Sequence, residues 1–273
     1  MYWPRSSACN SPPFAEPDRL TASPLDRFAV LSDIHGNLFA LEAVLADIAS
    51  RSVQQIVNLG DHLQGPLDPV GTADRLIPLN LPSVRGNCDR LIFEAGTIVT
   101  PGSTLAANRA VLSEQHKQWL AAMPQTLQLD DILLCHGTPW ADDVYLLEEV
   151  TPEGARMKRS EELAPILHGI TARLVLCGHS HQSRTVQISA QMPSSTLVVN
   201  PGSVGLPAYT EESPHPHGME AGSTHARYAI VTRSDDNWKV EHLAIAYDWE
   251  SAARLAERNG RPDWAAWLRT GRA

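Results

Sequence analysis

Short apolar runs alternate with stretches of helical periodicity through the first third of the chain. Residues 28–31 (Phe-Ala-Val-Leu) form a continuous apolar run, the pattern of a strand buried on both faces. Leu38, Leu41, Leu45 and Ile48 then recur at helical spacing, and Asn37 stands where an N-cap belongs. A second strand is predicted over 55–59, a helix over 69–77 with Asp68 as its cap, and a third strand over 82–85. The order β-α-β-α-β implies an α/β sheet with parallel strands.

Further along, a single helix is predicted over 107–121. Residues 127–129 and 132–135, separated by Asp130-Asp131, read as a hairpin. Ser160 is placed to cap a helix carrying Leu163 and Leu167, although Pro165 moves its start closer to that residue. Residues 173–177 form another short apolar strand. The remainder is strand-rich (184–188, 196–199, 227–232, 238–246) and closes with helices over 249–258 and 262–269. Trp264, Trp267 and Leu268 dock the last helix as core packing.

Two segments break the pattern. Residues 1–26 carry Pro4, Pro12, Pro13, Pro17 and Pro24 and read as a flexible arm, leaving 27–273 as the folded domain. Residues 207–224 are rich in Pro, Gly and Ser and read as a long inserted loop that gates the substrate. His215, His217 and His225 fall in or beside it and read as solvated residues rather than a further metal site.

Composition narrows the function classes. The chain has 273 residues, 43% hydrophobic and 19% charged, enough to build a core without disulfides. Its net charge of -9 and lack of basic runs argue against duplex nucleic acid as a partner. Cys9, Cys88, Cys135 and Cys177 match no disulfide framework, and the N-terminus lacks a signal-peptide pattern. No apolar stretch is long enough for a membrane span. A cytoplasmic location is therefore the expectation, and homo-oligomerisation is left open. Cys135 and Cys177 sit in apolar strands and read as small buried hydrophobes.

Candidate chemistry concentrates at strand ends. Asp33-Ile34-His35, Gly60-Asp61, Gly86-Asn87-Cys88-Asp89, His136-Gly137 and Gly178-His179-Ser180-His181 each follow a predicted strand. Carboxylate oxygen and imidazole nitrogen are donors for divalent metals. Residues two apart in extended backbone face the same side, so Asp33 and His35, or His179 and His181, can reach one ion. In open α/β sheets the carboxyl ends of strands are where ligand crevices form.

These segments, with Asn200-Pro201-Gly202-Ser203, resemble the motifs D-x-H, G-D, G-N-[HC]-[DE], H-G, G-H-x-H and N-P-G-S of the calcineurin-like metallophosphoesterases. Within that superfamily the chain is similar to the small bacterial and archaeal phosphodiesterase branch, over roughly 28–247. The resemblance implies a two-sheet sandwich flanked by helices (an α+β, four-layer form of α/β). It implies two divalent ions, manganese first, with iron, zinc, cobalt or nickel as alternatives. Asp33, His35, Asp61 and His181 would hold one ion; Asp61, as bridge, with Asn87, His136 and His179 the other. A hydroxide activated between the ions would attack a small phosphoester, either a phosphodiester or a nucleotide phosphoanhydride. Phosphomonoesters and dinucleoside polyphosphates are alternative substrates, and a retromer-type interaction scaffold is the alternative of another class.

Cys88 departs from the histidine that many superfamily members carry there as proton donor. A neutral thiol can donate a proton but brings no positive charge to a developing alkoxide, so good leaving groups are expected. His62, beside Asp61, is a substitute acid. Arg90 and Gly86 are the expected substrate contacts, with a surface salt bridge as the competing role for Arg90. Asp89 is expected to accept hydrogen bonds near the site, and the Asn200–Gly205 turn to shape the pocket wall.

Overall fold

The computed structural model describes residues 18–19 (main chain only), 25–188, 195–235 and 237–273. Its first elements are β1 (Asp18–Arg19), β2 (Arg27–Leu31), α1 (Leu38–Ser50), β3 (Gln55–Asn58) and α2 (Pro69–Leu76). A helical trio follows: α3 (Asn87–Phe93), α4 (Thr104–Val111) and α5 (Glu114–Ala121). Then come β4 (Thr126–Leu129), β5 (Ile132–Cys135), β6 (Glu148–Thr151), β7 (Gly154–Met157), the short α6 (Ser160–Leu163) and β8 (Leu174–Leu176). The last part holds β9 (Arg184–Ile188), β10 (Thr196–Asn200), β11 (Ala208–Glu211), β12 (His217–Glu220), β13 (Ala226–Ser234) and β14 (Asn237–Ile245). Helices α7 (Trp249–Arg258) and α8 (Pro262–Thr270) end the chain.

Two sheets dominate, ordered β1-β4-β5-β8-β10-β9 and β14-β13-β2-β3. Parallel pairs form the centre of the first, β5 with β8 with β10, and one edge of the second, β2 with β3, beside the antiparallel pair β13 with β2. The continuous apolar runs are explained by burial on both faces. In β2, Phe28 and Val30 point between the sheets while Ala29 and Leu31 point onto α1. In β8, Leu174 and Leu176 point between the sheets, while Val175, and Cys177 just past the strand, point to the outer layer with Leu163 and Leu167. The result is helix, sheet, sheet and outer layer, the four-layer α/β sandwich expected. Each large side chain buried in these layers is worth about 1.5–3 kcal/mol. Burial holds Cys135 and Cys177 as neutral thiols, raising Cys135 to about 12.

Caps behave as the sequence predicts at α1 and α2. Asn37 accepts from the Ala40 amide at 3.1 Å, and Asp68 from the Gly71 amide at 2.8 Å.

Several expectations need correction. Residues 82–85 make only an isolated parallel bridge, Ser83 to Asn58, because the chain turns away into α3. The helix expected over 107–121 is two helices, broken where Ser113 caps α5 by accepting from His116. The α6 cap is Arg159, whose amide donates to Glu162 at 2.7 Å, and Ser160 lies inside the turn. The 207–224 loop carries the antiparallel hairpin β11–β12, and the hairpin β6–β7 was not expected. The arm read over 1–26 lies outside the described residues apart from 25–26 and the main chain of 18–19, which pairs with β4.

Candidate metal centre

The loops after β2 and β3 continue their strands' partnership with irregular backbone. Asp33 N donates to Gly60 O at 3.0 Å, His35 N to Asp61 O at 2.9 Å and Gly36 N to His62 O at 3.0 Å. Five residues here hold left-handed backbone: Asp33 (φ 56°), His35 (51°), Asp61 (54°), His179 (67°) and His181 (58°). Such conformations cost about 1–2 kcal/mol per residue outside glycine. Their concentration on one set of side chains points to a selected use.

The loops are braced from behind. Ser203 Oγ donates to Asp33 O at 2.8 Å, and Asn200 Nδ2 donates to Gly178 O at 2.7 Å. The Asn200–Gly205 turn is therefore a brace for the donor loops rather than the pocket wall expected. Gly205 has no room for a side chain: a Cβ there would fall 1.8 Å from Ile34 O.

All seven expected donors converge. His181 Nε2 lies 3.3 Å from Asp33 Oδ1 and 3.2 Å from His35 Nε2. His136 Nε2 lies 3.1 Å from Asn87 Oδ1 and 3.4 Å from Asp61 Oδ2. Asp61 Oδ2 is also 3.7 Å from His35 Nε2, so one oxygen faces both groups. Asp33, His35 and His181 make one trio of metal-compatible atoms; Asp61, His136 and His179 make a second. Donor atoms about 2.1 Å from a common ion are spaced about 3.0–3.4 Å from each other, close to these separations.

Imidazole orientation supports the same use. Nδ1 of His35, His136 and His181 faces the main-chain oxygens of Gln64, Leu59 and Leu206 at 2.8, 2.7 and 2.8 Å. Carbonyls only accept, so each Nδ1 carries the proton and each Nε2 is turned to the centre as a potential ligand. Asp33 Oδ1 is buried and accepts no hydrogen bond, an orphan aimed at the same point. The site thus fits divalent ions held by nitrogen and oxygen.

Charge is strongly coupled here. Burial would raise Asp33, but His181 and His136 outweigh it and bring Asp33 down to about 2. Burial would lower His136, but Asp61 and Asp33 carry it up to about 10. Burial, then His136, lowers His179 to about 4. A proton on His136 thus stands where a cation fits, and acid competes with metal for that position.

A cavity of about 770 Å³ opens on the donors, and Asn87 and Cys88 line it. Cys88 Sγ, a His35 ring nitrogen and an Asp61 oxygen lie within 4.8 Å of one another. Burial, then Asp61, pushes the Cys88 thiol well up, so it stays protonated.

Three expected contacts do not reach the cavity. His62 is fully buried, with Nδ1 2.7 Å from Asp89 Oδ2 and its ring 5.2 Å from Trp119. Arg90 is clamped by Asp142, Nε and Nη2 donating at 2.8 and 2.9 Å, so its salt-bridge role prevails. Gly86 packs beneath Asp61, where a Cβ would fall 2.0 Å from Asp61 Oδ1; it makes room for the carboxylate instead of touching substrate.

Asp89 accepts from the amides of Asp61, His62 and Gly86, as foreseen. His217 is buried and 3.1 Å from Tyr145 Oη, which corrects the solvated reading. Sequence reasoning missed Tyr145 and Tyr209, whose rings lie 4.6 Å from those of His179 and His181. It also missed that Trp264 and Trp267, beyond their packing role, face the cavity. None of these carries a motif; the loop between β5 and β6, the β11–β12 hairpin and the last helix bring them there.

A sandwich gathering these donors at its parallel-strand ends has the architecture of a metal-dependent hydrolase. The family model of the calcineurin-like phosphoesterase superfamily domain matches residues 27–219. The chain belongs to that superfamily and is a metallophosphoesterase.

An uncharacterised Methanocaldococcus jannaschii protein, MJ0912, is 24% identical over 250 residues, covering 86% of this chain and 94% of that one. The crystal structure of a metallophosphoesterase from Sphaerobacter thermophilus superposes with a TM-score of 0.71 at 24% identity, over 90% of this chain and 99% of that one. A protein provisionally named a diadenosine tetraphosphatase gives a TM-score of 0.52 at 17% identity, over 85% of this chain and 99% of that one. No helix among the described residues is long and apolar enough to cross a membrane.

Proposed function

We propose that the protein hydrolyses phosphodiesters, or nucleotide phosphoanhydrides, with Asp33, His35, Asp61 and His181 holding one divalent ion and Asp61, Asn87, His136 and His179 the other. The observation that carries this reading is the facing of Asp61 Oδ2 to both donor groups, 3.7 Å from His35 Nε2 and 3.4 Å from His136 Nε2. When bound, such ions neutralise phosphoryl oxygens and lower the pKa of a water. The chain's own part is to fix the donors, admit the ester and supply a proton. The nitrogen and oxygen donor set accommodates manganese, iron, zinc, cobalt or nickel, and manganese is placed first on the resemblance to the superfamily. Cys88, Cys135 and Cys177 are free thiols, which fits a reducing compartment.

Diesters are favoured over monoesters because the cavity of about 770 Å³ extends well beyond the donors and has room for two substituents on phosphorus. The test is a panel with added Mn²⁺: aryl diesters, 2′,3′- and 3′,5′-cyclic nucleotides, dinucleoside polyphosphates and monoesters. Diesters should be turned over fastest; a monoester or polyphosphate as best substrate reassigns the class.

Metal content separates the enzyme from a scaffold. Adding Mn²⁺ to metal-free protein at a hundredfold excess over Kd should stabilise it by about 2.7 kcal/mol per ion. For a chain of this size that is roughly 5–10 °C in Tm per ion. No shift in a thermal melt, together with no Mn²⁺-stimulated hydrolysis, favours the scaffold.

Cys88 is assigned as proton donor to the leaving group. Its thiol is a weak acid here, so turnover should fall steeply from p-nitrophenyl to alkyl leaving groups. Cys88→His should raise kcat/KM for alkyl diesters by about 10–100-fold relative to p-nitrophenyl ones. An unchanged dependence on leaving-group pKa removes Cys88 from this role.

A further inference from the structure

Beyond the metal donors the cavity opens into a chamber that is aromatic and acidic. Tyr145, Tyr209, Trp264 and Trp267 supply rings. Asp143, Glu148, Glu149 and Glu211 supply carboxylates, against the two cations Lys158 and Arg261.

Both cations are committed to the protein. Lys158 Nζ donates to the carbonyls of Tyr145, Leu146 and Glu148 at 2.7, 3.1 and 2.5 Å. Arg261 donates to Asp263 from Nε at 2.9 Å and from Nη2 at 2.6 Å, and bonds Thr104 through Nη1. The chamber is therefore poorly equipped for further phosphates, which require free donors or cations.

Glu148 differs from the other three carboxylates. Glu149 is paired with Arg156, Asp143 lies 3.6 Å from Arg90, and Glu211 accepts from the amides of its own loop. Glu148 is 4% exposed, and neither carboxylate oxygen accepts a hydrogen bond. Its nearest cationic atom is Arg184 Nε, at 3.8 Å from Oε1. A buried carboxylate with no hydrogen bond and one long ion pair is incompletely compensated, and an incoming cation offsets the remaining cost. Aromatic faces add attraction for an ammonium within about 6 Å, and such rings are the recurrent walls of quaternary-ammonium sites. The Tyr145 and Tyr209 rings already touch those of His179 and His181, so the chamber begins at the donors. This favours a short spacer between phosphate and cation.

We propose that this chamber binds an ammonium group on the second alcohol of the substrate, an aminoalkyl phosphodiester, with Glu148 as counter-charge and Tyr145, Tyr209, Trp264 and Trp267 as the ring wall. The assignment rests on the phosphodiesterase reading and narrows it to one substrate class.

The test compares p-nitrophenyl phosphorylcholine with 3,3-dimethylbutyl p-nitrophenyl phosphate, which replaces the charged nitrogen by carbon. With the Mn²⁺-loaded protein, kcat/KM should favour the choline ester by about tenfold or more. Glu148→Gln and Trp267→Leu should each reduce that ratio to about threefold or less. Equal rates in the unmodified protein, or a ratio untouched by both variants, overturn the assignment. Faster turnover of thymidine p-nitrophenyl phosphate than of the choline ester also overturns it, in favour of a nucleoside site.

A binding arm needs no metal: choline should quench tryptophan fluorescence of the metal-free protein more strongly than 3,3-dimethylbutanol does. If choline binds but no diester is hydrolysed, the phosphodiesterase reading fails and the chamber stands. If aryl diesters are hydrolysed without any preference for charge, the chamber assignment alone fails.

Discussion

Asp61→Asn is expected to cut phosphoester turnover by about 10³-fold or more while leaving the protein folded. Asp61 is the carboxylate that faces both donor groups, through Oδ2 at 3.7 Å from His35 and 3.4 Å from His136. Its other oxygen accepts from the Cys88 amide at 3.0 Å, which fixes the carboxylate plane. Asparagine keeps that acceptor and the shape, and Gly86 still leaves space beneath it. What it removes is the negative charge that two adjacent cations share. The metal-free protein keeps its core packing and should lose at most about 3–5 kcal/mol, from the buried Asp61–His136 pair. Metal content per chain by elemental analysis should fall in parallel with kcat. A variant that keeps two ions and a tenth of the activity would falsify the bridging assignment.

The second large effect belongs to a residue that touches no substrate. Asp89→Ala should destabilise the fold by about 3–5 kcal/mol in urea denaturation. Asp89 is fully buried and accepts from the amides of Asp61 at 2.9 Å, His62 at 2.9 Å and Gly86 at 3.0 Å, and pairs with the His62 ring at 2.7 Å. Alanine leaves those buried donors without an acceptor, each costing about 1–3 kcal/mol before relaxation. Because the Asp61 main chain loses its anchor, apparent metal affinity should also fall by about 10–100-fold. Asp89→Asn, which retains one acceptor oxygen, should lie between wild type and alanine in both measures. A loss under about 1 kcal/mol for Asp89→Ala would show that water or rearrangement replaces the carboxylate.

How far the chain could be read depended on whether the cause was local. The α1 and α2 caps were legible because Asn37 and Asp68 bond amides three residues ahead. The strands β2, β5, β8 and β10 were legible because burial on both faces leaves continuous apolar runs. Residues 82–85 have the composition of a strand, yet form one bridge, because nothing local reveals that α3 begins so soon. The break at Ser113 was present as a cap residue but hidden by the periodicity on either side. The seven candidate donors were legible since each lies in a short motif, six of them just past a strand and Asn87 at the start of α3. Arg90 and His62 show the limit of that reasoning: proximity in sequence to Asn87 and Asp61 says nothing of Asp142 and Asp89, which take their polar atoms elsewhere.

By itself, the sequence determined the buried central strands, the α1 and α2 caps and the run of candidate donors near strand ends, since periodicity, capping and ligand chemistry act over a few residues; the two-sheet sandwich was implied by the resemblance of its motifs. The tertiary structure alone decided that Asp61 faces both donor groups, that Gly86 makes room for it and that Asp89 anchors its backbone. It alone decided that the β11–β12 hairpin and α8 carry Tyr209, Trp264 and Trp267 to the cavity, and that Glu148 is left there buried and without a hydrogen bond. Those outcomes depend on contacts between residues far apart in the chain, set by how the two sheets and their covering helices pack, and no local pattern encodes them.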